Sequence, residues 1–366
     1  MAEHPNKHRL RARWAPIVSV VAVVLALLVP APSTSGVDHL NVALTTRQLE
    51  LAPRTPADPV VAAQVQPSLV QITTLVDYQG VVGNGTGIVL SPDGEVLTNH
   101  HVIQGANAIK AVSIGTGQTF DADVIGYDRR SDVALLRLRG ASGLPAAPLG
   151  DSATVGVGDA VVTFGNANGT GEPLTREQGA VTALDRTIDA YDELTGSSRE
   201  LGGLIESSTN LRTGDSGGAL VNSAGQVVGL NAAATVNFRL GTPGGEGYAI
   251  PINRALDIAS QIRSGAPSPT VHIGPSALLG IGVNAAAERD AGLPVRQILL
   301  GGPADQAGLL PGDVITAIDG TPINSANALT AVLDLHYPGD VIDLSWRDRS
   351  GEDRSAKVTL ESGPVS

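Results

Sequence analysis

The sequence predicts an all-β unit, a sandwich or a pair of barrels, followed by a small α+β domain. Three observations carry that expectation. Over 60–262, short β-branched runs alternate with turn signals at intervals typical of an all-β protein. The 44 glycines among 366 residues suit many short strands joined by tight turns. Beyond residue 275 the pattern changes to strands mixed with helical periodicity.

Taken in order, residues 1–33 come first. Lys7, Arg9, Arg11 and Arg13 face a single acid, Glu3, and an apolar run, IVSVVAVVLALLV, leads into Pro30 and small residues. A basic head, a short apolar run and a small-residue tail describe a signal peptide cleaved near Ser33 or Ser35. A spanning helix needs about 20 apolar residues, so retention by an uncleaved anchor is the alternative. Residues 34–59 end in Pro53, Pro56 and Pro59 and read as an arm or tether. Within 60–264 the expected strands are SLVQITTLV (68–76), GTGIVL (85–90), EVLTN (95–99), VALLRL (133–138), DAVVTF (159–164) and QVVGLNAAA (226–234). Ser91-Pro92-Asp93-Gly94 is a hairpin connection, and 253–262 has helical spacing. Residues 265–275 read as a linker by composition. In the remainder, 276–362, a helix is expected over 326–335 and strands at VIDLSW and AKVTL.

Composition removes several classes of function. With 24 basic and 36 acidic side chains the net charge is −12, the wrong sign for a phosphate-binding surface, so nucleic acid is not an expected partner. Cysteine is absent, which excludes disulfides, thiolate metal sites and a thiol nucleophile. No H-E-x-x-H occurs, and neither a metal nor a cofactor is expected.

The chemistry centres on Gly214-Asp215-Ser216-Gly217-Gly218. A serine hydroxyl becomes a nucleophile when a base takes its proton and donors hold the oxyanion. The amides of Gly214 and Ser216 can converge on such an oxyanion in a tight glycine-flanked turn. Of the seven histidines, the adjacent pair His100 and His101 is placed in the same unit, at the exit of a strand, and at most one of two neighbours can face the serine. Asp121, Asp123, Asp128 and Asp132 are candidates to orient the imidazole; Asp132 directly precedes VALLRL and is the one most drawn inward. The order His, Asp, Ser is that of the chymotrypsin-type triad. An esterase would use the opposite order with a G-x-S-x-G elbow.

These motifs resemble those of the HtrA/DegP-type serine proteases, trypsin-like enzymes fused to PDZ domains, and within them the secreted actinobacterial members with one PDZ domain. Thr98-Asn99-His100-His101-Val102 is similar to the family's T-N-x-H-V box, which assigns the base to His101. Asp128-Arg129-Arg130-Ser131-Asp132-Val133-Ala134-Leu135 resembles its D-x-x-x-D-[LV]-A segment and chooses Asp132. Thr213 to Leu220 is similar to its nucleophile loop, and Gly85-Thr86-Gly87-Ile88, Gly179-Ala180-Val181 and Gly247-Tyr248-Ala249-Ile250-Pro251 also fall where the family has comparable segments. The resemblance implies a chymotrypsin-like double β-barrel over 60–264 and a PDZ domain over 276–362. It also implies an exported endopeptidase acting on unfolded or damaged proteins, with a homotrimer as the usual assembly. A latent, peptide-binding or chaperone-like protein is the alternative.

Three departures stand out. Asp215 replaces the family's usual Asn and needs a cation as its partner, for which the Arg212 side chain is the candidate. Gly165-Asn166-Ala167 lacks the family's common Pro. The position that forms the base of a trypsin-like specificity pocket is Asn210, with Leu230 and Asn231 in its wall, which implies small or aliphatic side chains at the cleaved position. In the small domain, Leu278, Leu279, Gly280 and Ile281 resemble the loop of a PDZ domain that captures peptide C-termini, and 281–283 would offer an edge strand. His336 is expected as a solvated helix-end residue.

Overall fold

Six strands in the first half form one closed sheet: β1 (Leu69–Val76), β2 (Val81–Val89), β3 (Glu95–Thr98), β4 (Ala108–Ser113), β5 (Thr119–Asp128) and β6 (Val133–Leu138). Their order is β5-β4-β1-β2-β3-β6, and a further β5–β6 pairing closes the ring. The computed structural model describes residues 64–76, 80–166, 169, 174–191, 198–232, 246–284 and 292–365. The expected leader (1–33) and arm (34–59) lie outside the described residues, as do Ala167, Ala233 and Ala234. Strand β6 is buried at nearly every position because both of its faces are covered, which is why VALLRL reads as an unbroken apolar run. The expected hairpin at Ser91 to Gly94 is formed, with Gly94 at φ +88° and its N–H donating to the Ser91 carbonyl at 3.0 Å.

The second closed barrel runs β10-β11-β12-β9-β8-β7, from β7 (Ala160–Gly165), β8 (Thr175–Tyr191), β9 (Ser198–Ser207), β10 (Ala219–Asn222), β11 (Val227–Ala232) and β12 (Gly247–Pro251). The pair of barrels is the architecture expected. One hydrophobic core crosses between them: Leu69, Leu97 and Leu135 of the first pack in the same cluster as Phe164, Leu230 and Ile250 of the second. The helix Ile252–Arg263 closes that seam, contacting β5 and β6 on one side and β11 and β12 on the other. It buries Ile252, Ala255, Ile258, Ala259 and Ile262, and each large aliphatic among them contributes about 1.5–3 kcal/mol.

The segment expected as a linker carries a strand. Residues β13 (Val271–Ile273) pair antiparallel with β5, Val271 opposite Asp128 and His272 opposite Tyr127. Three residues are too few to show alternation; the open edge of β5 recruits them. The smaller domain then follows with β14 (Ala277–Leu278), β15 (Ile281–Val283), β16 (Leu293–Ile298), β17 (Val314–Ile318), β18 (Thr321–Pro322), β19 (Val341–Arg347), β20 (Asp353–Thr359) and β21 (Glu361–Ser362). Its main sheet is ordered β15-β16-β17-β19-β20, β18 pairs with β17, and β14 pairs with β21. The helix expected over 326–335 spans Ala326–Leu333, capped by the Ser325 hydroxyl, which accepts the Ala328 N–H at 3.2 Å.

The end of that helix meets the first barrel. Arg129 donates to the Asp334 carboxylate from Nε at 2.8 Å and from a terminal nitrogen at 3.3 Å, and the Tyr127 hydroxyl donates to the same carboxylate at 3.0 Å. The His272 ring lies stacked between Tyr127 and Tyr337, with centroids 5.1 and 4.8 Å away.

Candidate active site

His101 stands in a single helical turn (His100–Ile103) directly after β3, and Asp132 directly precedes β6, the neighbour of β3. The Nδ1 of His101 lies 2.8 Å from Oδ2 of Asp132, and the His101 backbone N–H donates to Oδ1 at 3.0 Å. The carboxylate therefore grips both the ring and the main chain of the residue it faces. Asp132 is 1% exposed and sits at φ +57°, a left-handed conformation that Asp tolerates better than most residues. Asn99 holds it there, donating from Nδ2 to the Asp132 carbonyl at 2.9 Å. The neighbouring His100 turns the other way: it is fully buried, its ring 4.7 Å from that of Tyr127.

Ser216 lies in the turn leading into β10 and is 5% exposed. This turn is pressed against β2 of the other barrel. The Thr86 N–H donates to the Ser216 carbonyl at 2.8 Å, and the Thr86 hydroxyl donates to the Gly214 carbonyl at 2.9 Å. The carbonyl of Thr86 in turn accepts from the Thr98 hydroxyl at 2.7 Å, on the strand that delivers His101. Gly217 sits at φ +80°, and a Cβ there would collide with the Thr86 carbonyl and the Thr98 hydroxyl. A glycine after the serine is what allows the segments bearing Ser216 and His101 to approach.

Asp215 is almost completely buried, and its partner differs from the one expected. The Arg212 backbone N–H donates to Asp215 Oδ2 at 2.9 Å, while the Arg212 guanidinium reaches out to Glu177 at 2.9 Å. Burial pushes the Asp215 carboxyl above the usual carboxylate range, against the lowering effect of the Arg212 amide and of Thr175.

The residues expected to shape a specificity pocket are placed differently from one another. Asn210 is half-buried just ahead of the turn. Leu230 lies in the shared core, and Asn231, its neighbour on β11, is fully buried and donates from Nδ2 to the Phe164 carbonyl at 3.1 Å. In the smaller domain, Leu278 is strand-paired with Glu361, Leu279 is buried in the domain core, and Gly280 turns the chain at φ +79°. Ile281 begins β15, the edge strand of its sheet. His336 is partly buried between two acids, 3.3 Å from Asp319 and 3.7 Å from Asp340. Among the described residues no cluster of His, Asp and Glu is arranged to hold a metal ion.

Sequence reasoning missed the roles of Thr86, Asn99 and Asn166. The Asn166 N–H donates to the Thr86 hydroxyl at 2.9 Å and to the Gly214 carbonyl at 3.3 Å. A threonine set between Gly85 and Gly87 was the available signal.

Comparison with known proteins agrees with this architecture. Residues 85–230 match the trypsin-like peptidase domain and residues 277–360 match the PDZ domain. The chain is 32% identical over 289 residues to the serine protease Do-like HtrA of Lactobacillus helveticus, covering 76% of this chain and 68% of that protein. It belongs to the HtrA/DegP family of serine proteases. Serine protease PepD of Mycobacterium tuberculosis is 34% identical over 315 residues, covering 82% of this chain and 65% of PepD. Periplasmic serine endoprotease DegP of Escherichia coli is 37% identical over 290 residues, which is 76% of this chain and 56% of DegP. The chain thus spans about two thirds or less of the length of those two relatives. In this chain His101 and Asp132 stand in the first barrel and Ser216 in the second, where the Ser216 carbonyl accepts the Thr86 N–H across the seam, and β15 is the edge of the smaller domain's sheet.

Proposed function

We propose that this HtrA/DegP-family protein is an exported serine endopeptidase that hydrolyses peptide bonds of unfolded or damaged proteins. Ser216 attacks the peptide carbonyl, His101 takes its proton and returns it to the leaving amine, and Asp132 holds the ring. The amides of Gly214 and Ser216 receive the oxyanion. The PDZ domain binds peptide C-termini, or extended segments, along β15 with Leu278 to Ile281 at the terminal carboxylate.

The observation that carries this reading is the Asp132 grip on His101 at 2.8 and 3.0 Å. With Nδ1 committed to the carboxylate, the ring is held in the orientation that leaves Nε2 for proton transfer. Export is supported by the basic-then-apolar start of the sequence and by the periplasmic naming of DegP. A fluorophosphonate tests the mechanism: its adduct is expected on Ser216, and Ser216→Ala is expected to lose both the adduct and casein degradation. Undiminished casein degradation by Ser216→Ala would overturn it.

A further inference from the structure

We propose that Thr86 is a positioning residue for the oxyanion turn, acting through the carbonyl of Gly214. The inference rests on the reading of Ser216 as nucleophile given above. Glycine imposes little on its own torsions, so a turn built as Gly214-Asp215-Ser216-Gly217-Gly218 needs restraint from outside. Thr86 supplies it from the other barrel. Its hydroxyl donates to the Gly214 carbonyl at 2.9 Å and accepts the Asn166 N–H at 2.9 Å, and its own N–H holds the Ser216 carbonyl at 2.8 Å.

The consequence follows from peptide geometry. In a trans peptide the carbonyl and the following N–H point in opposite directions. The peptide unit between residues 214 and 215 is pinned at both ends, its carbonyl by Thr86 and its N–H by the Arg212 carbonyl at 3.0 Å. The next unit is held by the Gly218 N–H on the Asp215 carbonyl at 3.0 Å, which directs the Ser216 N–H to the opposite side. Rotation of the first unit would carry the second with it and move the Ser216 amide off the oxyanion position. Thr86 is 0% exposed, so no solvent molecule stands in for a missing hydroxyl there without displacing protein. The group required at this point must donate one hydrogen bond and accept another from a short side chain, which serine and threonine do and valine does not. Thr86 also accepts the Thr98 hydroxyl on its carbonyl, so the same residue ties the turn to the strand that delivers His101.

The test is the rate of phosphonylation of Ser216 by a fluorophosphonate, resolved into kinact and KI, on the full chain. Thr86→Val is nearly isosteric and keeps the backbone N–H. It is expected to lower kinact about 10- to 100-fold with KI within about twofold, and Thr86→Ser to restore kinact to within about threefold. Thermal melts establish that the variants are folded. If Thr86→Val does not fold, Thr86→Ser against Thr86→Ala carries the same comparison, since the two differ in the hydroxyl. Labelling of Thr86→Val at the wild-type rate overturns the inference, as does a Thr86→Ser as slow as Thr86→Val, which would assign the effect to the methyl group. Silence of the wild-type protein toward the probe is a distinct result: it overturns the reading of Ser216 and this inference with it.

Discussion

Asp215, the residue before Ser216, carries a carboxyl and is 1% exposed. Its carboxyl accepts the backbone N–H of Arg212, whose guanidinium bonds Glu177 instead, and burial raises its pKa from the ordinary 3.8. A buried carboxyl with a raised folded pKa binds its proton more tightly in the folded state than in the unfolded one. Stability therefore falls as pH rises from 3.8 through the folded value, and the cost persists at neutral pH. Asp215→Asn keeps an oxygen for the Arg212 amide and removes that slope. The difference in Tm between variant and wild type is expected to grow in favour of the variant from pH 4 to pH 8; a constant difference would mean that burial does not tax the ionised form. Among candidate site residues, Ser216, His101 and Asp132 were legible because their chemistry requires those residue types in recurring local contexts. The choice of His101 over His100 was not a matter of residue type: one ring meets Asp132, and the other is buried against Tyr127.

At the scale of elements, the strands with both faces covered were easy to see and the short recruited one was not. β6 is VALLRL, an apolar run whose burial needs no alternation. β13 is Val-His-Ile in a proline- and serine-containing stretch, and it is a strand because β5 offers it an edge. The helix Ile252–Arg263 was legible from its spacing, but its role was not: it closes the seam between barrels. Ile262 is 1% exposed in that seam, and Gly126 of β5 is packed against its Cγ2 methyl. Ile262→Ala is expected to cost about 2–4 kcal/mol and to lower the midpoint of one shared urea transition for the two barrels. Two resolved transitions would show that the barrels unfold independently and that the seam does not couple them.

For the molecule as a whole, the two barrels share one hydrophobic core, and the PDZ domain is joined to the first barrel by polar and ring contacts. His101 and Asp132 belong to the first barrel and Ser216 to the second, with Thr86 bridging them. The smaller domain is fastened through Arg129 and Tyr127 to Asp334, while His272 faces the Asp334 and Pro275 carbonyls at 2.8 and 3.1 Å. Removing the partly buried Arg129 is expected to loosen this junction by about 1 kcal/mol, about a fivefold faster opening. In Arg129→Ala, amide hydrogen exchange of Val271 to Ile273 should rise by that factor while β2 and β10 are unchanged. Unchanged exchange at β13 would mean that the remaining contacts, those of Tyr127 and His272 with Asp334 among them, hold the domain without Arg129.

By itself the sequence determined the all-β unit, the α+β domain after it, and His101, Asp132 and Ser216 as the candidate residues for the chemistry, in that order along the chain. Those properties are written in spacing, in turn residues and in reactive side chains, all of which act over a few positions of the chain. The tertiary structure decided the rest: that Asp215 is held by the backbone amide of Arg212, that residues 271–273 join a barrel, and that Thr86 braces the turn before Ser216. Each of these is a hydrogen bond or strand pairing whose partners are set by packing. An isolated threonine or carboxylate carries the same local signal whether or not such a partner arrives.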